Sequence, residues 1–474
     1  MASLRPEFHT EAQCLARSEK FLAAKKELIR SLEESSAKIR GVRPASGTEG
    51  ARQAYSELIT RYVSERGREL YFPFLGSGIG SGPYVELMDG SVKMDLITGI
   101  GINFFGHSNP EMISEMIDGI AADPMQGNLQ PGVEAHEFSE ALLSRLGGGS
   151  RLRYVWPMCS GTMVNEVALK IIRQKRAPAT RVFAFEDCFA GRSTAMQELT
   201  DNPKYREGQP VYGEVFHLPF YSKTAGLERS LTLSLGRMRE EIKRYPNRYA
   251  ALMIELVQGE GGFNFAPREF YVALFEEAKR AGIAVWVDEI QTFGRTGELF
   301  AYQKFNLNEW VDVVTVGKML QACAVIFSEE YNPKPGLVAG TFTGSTAALR
   351  TARKTLELLS DGYFGADGKI ERLSSRFVRN LNALADGECK GMISDVRAIG
   401  GMIAFSPFSG TMDEVKSSLL RFFDNGVIAF QCGHGPYSVR LLPPLGAMTD
   451  ADVDVACRIM GECISAIGAE RRLS

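Results

Sequence analysis

The stretches IAVWVDEIQ at 283–291 and VDVVTVGK at 311–318 decide how the rest of this chain is read. Each is a short apolar run rich in β-branched residues, the composition of a strand buried on both faces. The first run stops abruptly at Asp288, Glu289 and Gln291, and the second at Gly317 and Lys318. Between them, TFGRTGELFAYQKFNLNEW (292–310) is long enough for a loop, a short helix and the return to a parallel strand. The unit therefore reads as a βαβ crossover. Open α/β sheets gather their reactive side chains in the crevice at the carboxyl ends of the strands. Here one strand end delivers a carboxylate and its neighbour a lysine.

A lone lysine after a strand is ordinarily a solvated surface residue, and a lone aspartate there a turn former or helix cap. As a pair they have the chemistry of a pyridoxal phosphate site, where a lysine forms a Schiff base and an acid holds the pyridinium nitrogen. Such a site also needs a phosphate cradle and an aromatic ring stacker.

At 474 residues the chain has room for two or three domains. A composition of 45% hydrophobic and 23% charged residues excludes disorder and collagen-like repeats. A net charge of −3 leaves no electrostatic footprint for nucleic acid or an anionic membrane. The eight cysteines include no CxxC pair and read as reduced thiols of a cytoplasmic protein. The first forty residues are rich in Glu, Lys and Arg, unlike a secretory signal, and no apolar run is long enough to span a bilayer.

In chain order, residues 1–70 read as a charged helical extension, with SEKFLAAKKELIRSLEESSAKI the clearest amphipathic segment. The glycines at 76, 78, 80 and 82 fit neither the P-loop nor the dinucleotide pattern. They fall instead in strand-and-turn texture, where the Asp89-Gly90 turn joins YVELM to SVKMDLI. Asn109 before Pro110 starts a helix. RYVW at 153–156 runs into Cys159, Ser160, Gly161 and Thr162, where an amphipathic helix begins. Free N–H groups and small hydroxyl residues at a helix start form a phosphate seat, although a plain Ser or Thr cap has the same pattern. RVFAF at 181–185 leads to Phe189, just past a strand end, where a ring could lie against a cofactor. AALMIELVQGEGG at 250–262 gives a third strand end with Glu255, Gln258 and Glu260. The last hundred residues set short strands between helices, and Thr449 and Asp452 have capping-box spacing.

Seven motifs in order carry a family resemblance. They are SGT at 160–162, FAGR at 189–192, ELVQGEGG at 255–262, DEIQTFGRTG at 288–297, GK at 317–318, GTFTGS at 340–345 and VRLLPPL at 439–445. From about residue 70 to its end the chain resembles the class III (omega) aminotransferases, pyridoxal phosphate enzymes of fold type I. The lysine 6-aminotransferase and 4-aminobutyrate aminotransferase branches look nearest.

That resemblance implies an α/β fold whose large domain carries a seven-stranded, mostly parallel sheet, beside a smaller α+β domain built from both chain ends. It divides the chain into an N-terminal extension (1–70), the first part of the small domain (71–120), a large cofactor domain (121–350) and the rest of the small domain (351–474). It implies that Lys318 forms the Schiff base and shuttles a proton, while Asp288 pairs with the pyridine nitrogen. Gln291 bonds near the phenolic oxygen, Phe189 stacks on the ring, and Ser160, Gly161 and Thr162 hold the phosphate. Thr341 completes that cradle from the second subunit of a homodimer. Arg192 matches the position that takes the distal carboxylate of 2-oxoglutarate, and Arg440 the one that takes the α-carboxylate. Glu260 matches the acid that can neutralise the second arginine.

The chain departs from the family pattern at Ala190 (usually His), at Leu256 (usually Pro) and in the run after Thr341. The expected activity is transfer of a terminal amino group, with lysine favoured and 4-aminobutyrate, ornithine or acetylornithine close behind, to 2-oxoglutarate. An aminomutase would need no external acceptor, which Arg192 argues against. A non-catalytic protein of this fold would not need the intact Lys318 and Asp288.

Overall fold

The computed structural model describes residues 10–473, so residues 1–9 of the expected helical extension lie outside the described residues. Seven strands make the central sheet: β1 Leu152–Met158, β2 Arg181–Phe185, β3 Val215–Leu218, β4 Tyr249–Ile254, β5 Ala284–Asp288, β6 Val313–Val316 and β7 Cys323–Ser328. Their order is β1-β7-β6-β5-β4-β2-β3. All neighbours are parallel except those of β7, which runs antiparallel to both β6 and β1.

The near-continuous apolar character of β4, β5 and β6 follows from their place in the middle of this sheet, where every residue is buried. Successive side chains point to opposite faces, and the core divides accordingly. Ala284 and Trp286 join Val164, Val167 and Ile171 of the helix Gly161–Arg176 on one face. Val285 and Val287 join Phe270 and Leu274 of the helix Arg268–Arg280 on the other.

The βαβ reading of 283–318 matches the structure, with the short helix Ala301–Lys304 between β5 and β6. Register then does the positioning. Asp288 lies opposite Thr315 on the adjacent strand, and Lys318 follows three residues later, so both reach the same sheet edge.

The smaller α+β region takes strands from both chain ends. Gly76–Ser81, Tyr84–Leu87 and Val92–Asp95 form an antiparallel set, onto which Val427–Ile428 pairs in parallel. A second sheet of Ile393–Ile399, Met402–Pro407, Ser438–Leu441 and Phe430–Cys432 carries Arg440. The Asp89-Gly90 turn closes through Gly90 N–H to Leu87 O, with Gly90 at φ +76°, where glycine avoids a Cβ penalty. Asn109 caps the helix Pro110–Ile120 by accepting from Glu111 and Met112, and Thr449 and Asp452 bond reciprocally.

The N-terminal helices Glu11–Arg17, Glu19–Ser36 and Glu49–Arg66 are largely exposed. The second is tied to Pro110–Ile120 by Lys25 and Asp118 at 2.7 Å. No helix among the described residues is long and apolar enough to cross a membrane.

Candidate active site

A cavity of about 380 Å³ opens where β5 and β6 end against the start of the helix Gly161–Arg176. Small-molecule sites run from roughly 300 Å³ upward. Seven of the eight residues that the resemblance assigns to the cofactor line it together: Ser160, Gly161, Thr162, Phe189, Asp288, Gln291 and Lys318.

Lys318 follows β6 with φ +50°, a left-handed conformation costly for a side-chain-bearing residue and typical of functional sites. Gly317 before it is required by space, since a Cβ there would meet Cys323 Sγ at 2.9 Å. Burial pushes the Lys318 ammonium down to about 8. Asp288 and Glu255 pull it back up, while Arg440 and Arg295 push it further down. A neutral amine is therefore accessible near neutral pH.

Asp288 is buried and accepts from Ile290 N–H at 2.9 Å and from Asn165 Nδ2 at 2.8 Å. Burial pushes its carboxyl up to about 6, and those two donors and Lys318 oppose the rise. Asn165 also donates to Ala190 O at 2.7 Å, and so fixes the backbone beside Phe189. Glu255, likewise buried, accepts from Phe189 N–H at 2.8 Å and Gly259 N–H at 3.0 Å. Burial, with Asp288 nearby, holds it up at about 8. It straps the Phe189 loop to the end of β4.

At the helix start, Ser160 Oγ accepts from Met163 N–H at 3.3 Å, the plain N-cap that the sequence also allowed. Ser160 is the cap rather than part of the helix, and Gly161 and Thr162 are its first two residues, whose N–H groups have no intrahelical acceptor. A Cβ at Gly191, where φ is +131°, would meet Thr162 Oγ1 at 2.6 Å, so the opposing wall of the seat must be glycine. Pyridoxal phosphate fits this donor set. The helix start would favour an anion, Asp288 would hold a protonated ring nitrogen, and the buried Gln291 Oε1, which has no hydrogen-bond partner among the described residues, would meet a polar group.

Three further sequence-derived residues lie beside this cavity rather than on its wall. Arg440 is only 5% exposed, donates from Nη1 to Gly259 O at 3.0 Å, and leaves Nε without a partner. Arg192 stacks on the Tyr205 ring at 4.0 Å. Glu260 accepts from the Tyr205 hydroxyl at 2.5 Å, and no ion pair joins it to Arg440 among the described residues. Thr341 is exposed on a loop outside this cavity.

The family model for class III aminotransferases matches residues 75–464. This chain belongs to the class III aminotransferases. Among its relatives, an acetylornithine aminotransferase of Mycolicibacterium smegmatis is 33% identical over 58% of this chain and 68% of that protein. A diaminobutyrate–2-oxoglutarate transaminase of Nocardia farcinica is 28% identical over 81% of this chain and 88% of its own length. A lysine aminotransferase from M. tuberculosis shares the fold with a TM-score of 0.75 at 22% identity, over 85% of this chain and 98% of that one. A transaminase from the marine bacterium Virgibacillus does so at 0.77 and 18%, over 89% and 100%.

The cofactor of this aminotransferase is accordingly pyridoxal 5′-phosphate. The helices between residues 11 and 66 precede the matched span. Asn165 on the cavity wall and Tyr205 beside Phe189 escaped the sequence reading. Asn165 had a usable signal, as a polar side chain inside the apolar stripe of Val164, Val167 and Ala168. Tyr205 had none, because it sits in a turn-rich segment remote from every strand end.

Proposed function

We propose that this aminotransferase moves the terminal amino group of an ω-amino donor to 2-oxoglutarate, giving a semialdehyde and glutamate in a ping-pong cycle. The ε-amino group of lysine is the favoured donor. Acetylornithine and diaminobutyrate are the rivals, on the names of the relatives. The observation that carries the reading is Arg440: a nearly fully buried guanidinium with a free Nε, whose charge is felt at Lys318. Such a group is suited to a carboxylate ligand, which supports the reading.

Bound in the cavity, pyridoxal phosphate supplies an aldehyde to receive the donor amine and a ring to draw in the electrons released at the reacting carbon. Lys318 takes the proton from that carbon and returns it on the far side of the transfer, a task suited to an amine held near 8. Asp288, fixed by Asn165 and Ile290, holds negative charge at the ring nitrogen. Ser160 and the N–H groups of Gly161 and Thr162 seat the phosphate, Phe189 covers one ring face and Gln291 meets the phenolic oxygen. Arg440 takes the α-carboxylate of the acceptor and Arg192 the distal one. Glu260 is the acid that compensates Arg440 when the donor lacks a carboxylate there.

The working unit is a homodimer in which Thr341 enters the partner's site. Its loop bonds to the neighbouring one through Asn128 N–H to Gly340 O, and the two loops present Phe342 and Leu129 to solvent at 60% and 101% exposure. Flanking apolar side chains of that size call for cover. All eight cysteines are free thiols, which supports a reducing, cytoplasmic setting.

The test is to add lysine, acetylornithine, diaminobutyrate and 4-aminobutyrate singly to cofactor-loaded protein without acceptor, and follow the cofactor absorbance. Lysine should bleach it fastest, and 2-oxoglutarate should restore it with one glutamate formed per site. Bleaching by no ω-amine, or recovery without glutamate, rejects the proposal.

A further inference from the structure

Tyr205 touches three residues of the substrate end at once, and nothing in the sequence motifs marks it. Its hydroxyl donates to Glu260 Oε1 at 2.5 Å, and the Arg192 guanidinium lies over its ring at 4.0 Å. Its ring edge meets Phe189 at 6.2 Å between centroids and 85° between planes. The side chain is held in this position by its own segment. Asn202 Oδ1 accepts from Lys204 N–H at 3.1 Å and caps the short turn Pro203–Tyr205. Arg206 Nη1 donates to Thr200 O at 3.1 Å. Thr200 Oγ1 accepts from Ala190 N–H and donates to Gly191 O, both at 2.9 Å. The turn that carries Tyr205 is thus pinned to the loop that carries Phe189 and Arg192.

The consequence falls on Glu260 and Arg440. Glu260 follows directly on Gly259, whose carbonyl takes Arg440 Nη1, and Gly433 N–H fixes the Glu260 carbonyl at 2.8 Å. The backbone therefore keeps the carboxylate within electrostatic reach of Arg440. Its side chain nevertheless turns to Tyr205, and Arg440 Nε is left unpartnered. One carboxylate has two competing cationic or protic neighbours, and which one holds it decides whether Arg440 is free for a ligand.

We propose that Tyr205 is a specificity-determining residue that withdraws Glu260 from Arg440, so that the resting site is set for a carboxylate-bearing 2-oxo acid rather than for an uncharged substrate end. This rests on the proposed function, since it presumes that Arg440 receives a substrate carboxylate. Burial and the Glu260 carboxylate push the Tyr205 phenol up to about 12, so the hydroxyl stays protonated and donating across the working pH range. An ω-amino donor with no carboxylate at that end must break the Tyr205 bond to return Glu260 to Arg440. The acceptor pays no such cost.

The probe is glutarate, an unreactive dicarboxylate, titrated into the cofactor-loaded protein by calorimetry. Tyr205→Phe keeps the ring beneath Arg192 and removes only the hydroxyl. Freed Glu260 then pairs with Arg440, and glutarate binding should weaken roughly tenfold, while the KM for the ω-amine falls and that for the oxo acid rises. The double variant Tyr205→Phe/Glu260→Ala has no competing carboxylate and should recover wild-type affinity for glutarate, a rescue that mere structural damage would not permit. Unchanged glutarate affinity in Tyr205→Phe, or no recovery in the double variant, overturns the role of Tyr205 while leaving the dicarboxylate acceptor intact. Failure of the wild-type protein to bind glutarate overturns the acceptor reading, and this role with it.

Discussion

Replacing Asn165 by leucine removes one donor from a buried carboxylate while keeping the side-chain volume. Asn165 is fully buried, and its Nδ2 lies 2.8 Å from Asp288 Oδ2 and 2.7 Å from Ala190 O. Asp288 keeps only Ile290 N–H at 2.9 Å. A hydrogen bond to a charged group contributes about 1.5–3 kcal/mol. At about 1.4 kcal/mol per pK unit, its loss raises the Asp288 carboxyl by roughly one to two units. Starting from about 6, that carries it through neutrality in the cofactor-free protein.

The sign is fixed by the chemistry. A raised carboxyl is protonated more readily, so the cofactor's ring nitrogen loses its counter-charge as pH falls. Asn165→Leu should therefore bind pyridoxal phosphate roughly 2- to 10-fold more weakly near pH 7, the deficit growing to roughly 10- to 100-fold near pH 5 and vanishing towards pH 9. Absorbance titration of cofactor into the apoprotein across that range measures it, and circular dichroism confirms the fold. Wild-type affinity and an unshifted pH profile in a folded Asn165→Leu protein would refute the argument that Asn165 sets the charge of Asp288.

Cofactor uptake should follow the neutral fraction of Lys318. With its ammonium at about 8, that fraction at pH 7 is about 300-fold greater than for an ordinary lysine. Uptake rates by apoprotein should rise with pH and level off above about pH 8, and a rise continuing beyond pH 10 would contradict the burial argument. Lys318→Ala should abolish turnover yet keep the melting temperature near that of the wild-type apoprotein. Below pH 8 the buried ammonium costs roughly 3 kcal/mol, and the three lost methylenes contribute roughly 2.4 kcal/mol in the opposite direction. Thr341→Glu should repel the cofactor phosphate in the partner's site. Mixed dimers of Thr341→Glu with Lys318→Ala chains should then regain about half of wild-type activity, because one site receives both intact residues. No recovery would place Thr341 in the site of its own chain.

The sheet was legible because the cause of each strand lies within it. Apolar β-branched runs such as 284–287 and 313–316 have nowhere to go but the middle of a covered parallel sheet. The side chains at their ends then face the crevice by topology alone. For that reason Asp288 and Lys318 could be paired, and Ser160 to Thr162 placed at a helix start, before any coordinates. The Tyr205 contact with Glu260 joins residues 55 positions apart, and the Asn165 contact with Asp288 joins residues 123 apart. No local pattern encodes either.

By itself the sequence determined the strand order's essential pair, the lysine and the acid at its end, and the helix start opposite, since these follow from local composition and the geometry of parallel strands. Tertiary structure alone decided which buried groups carry charge and which way Glu260 turns. Both depend on burial and on partners that chain separation hides, because desolvation and a hydrogen bond exist only once distant segments meet.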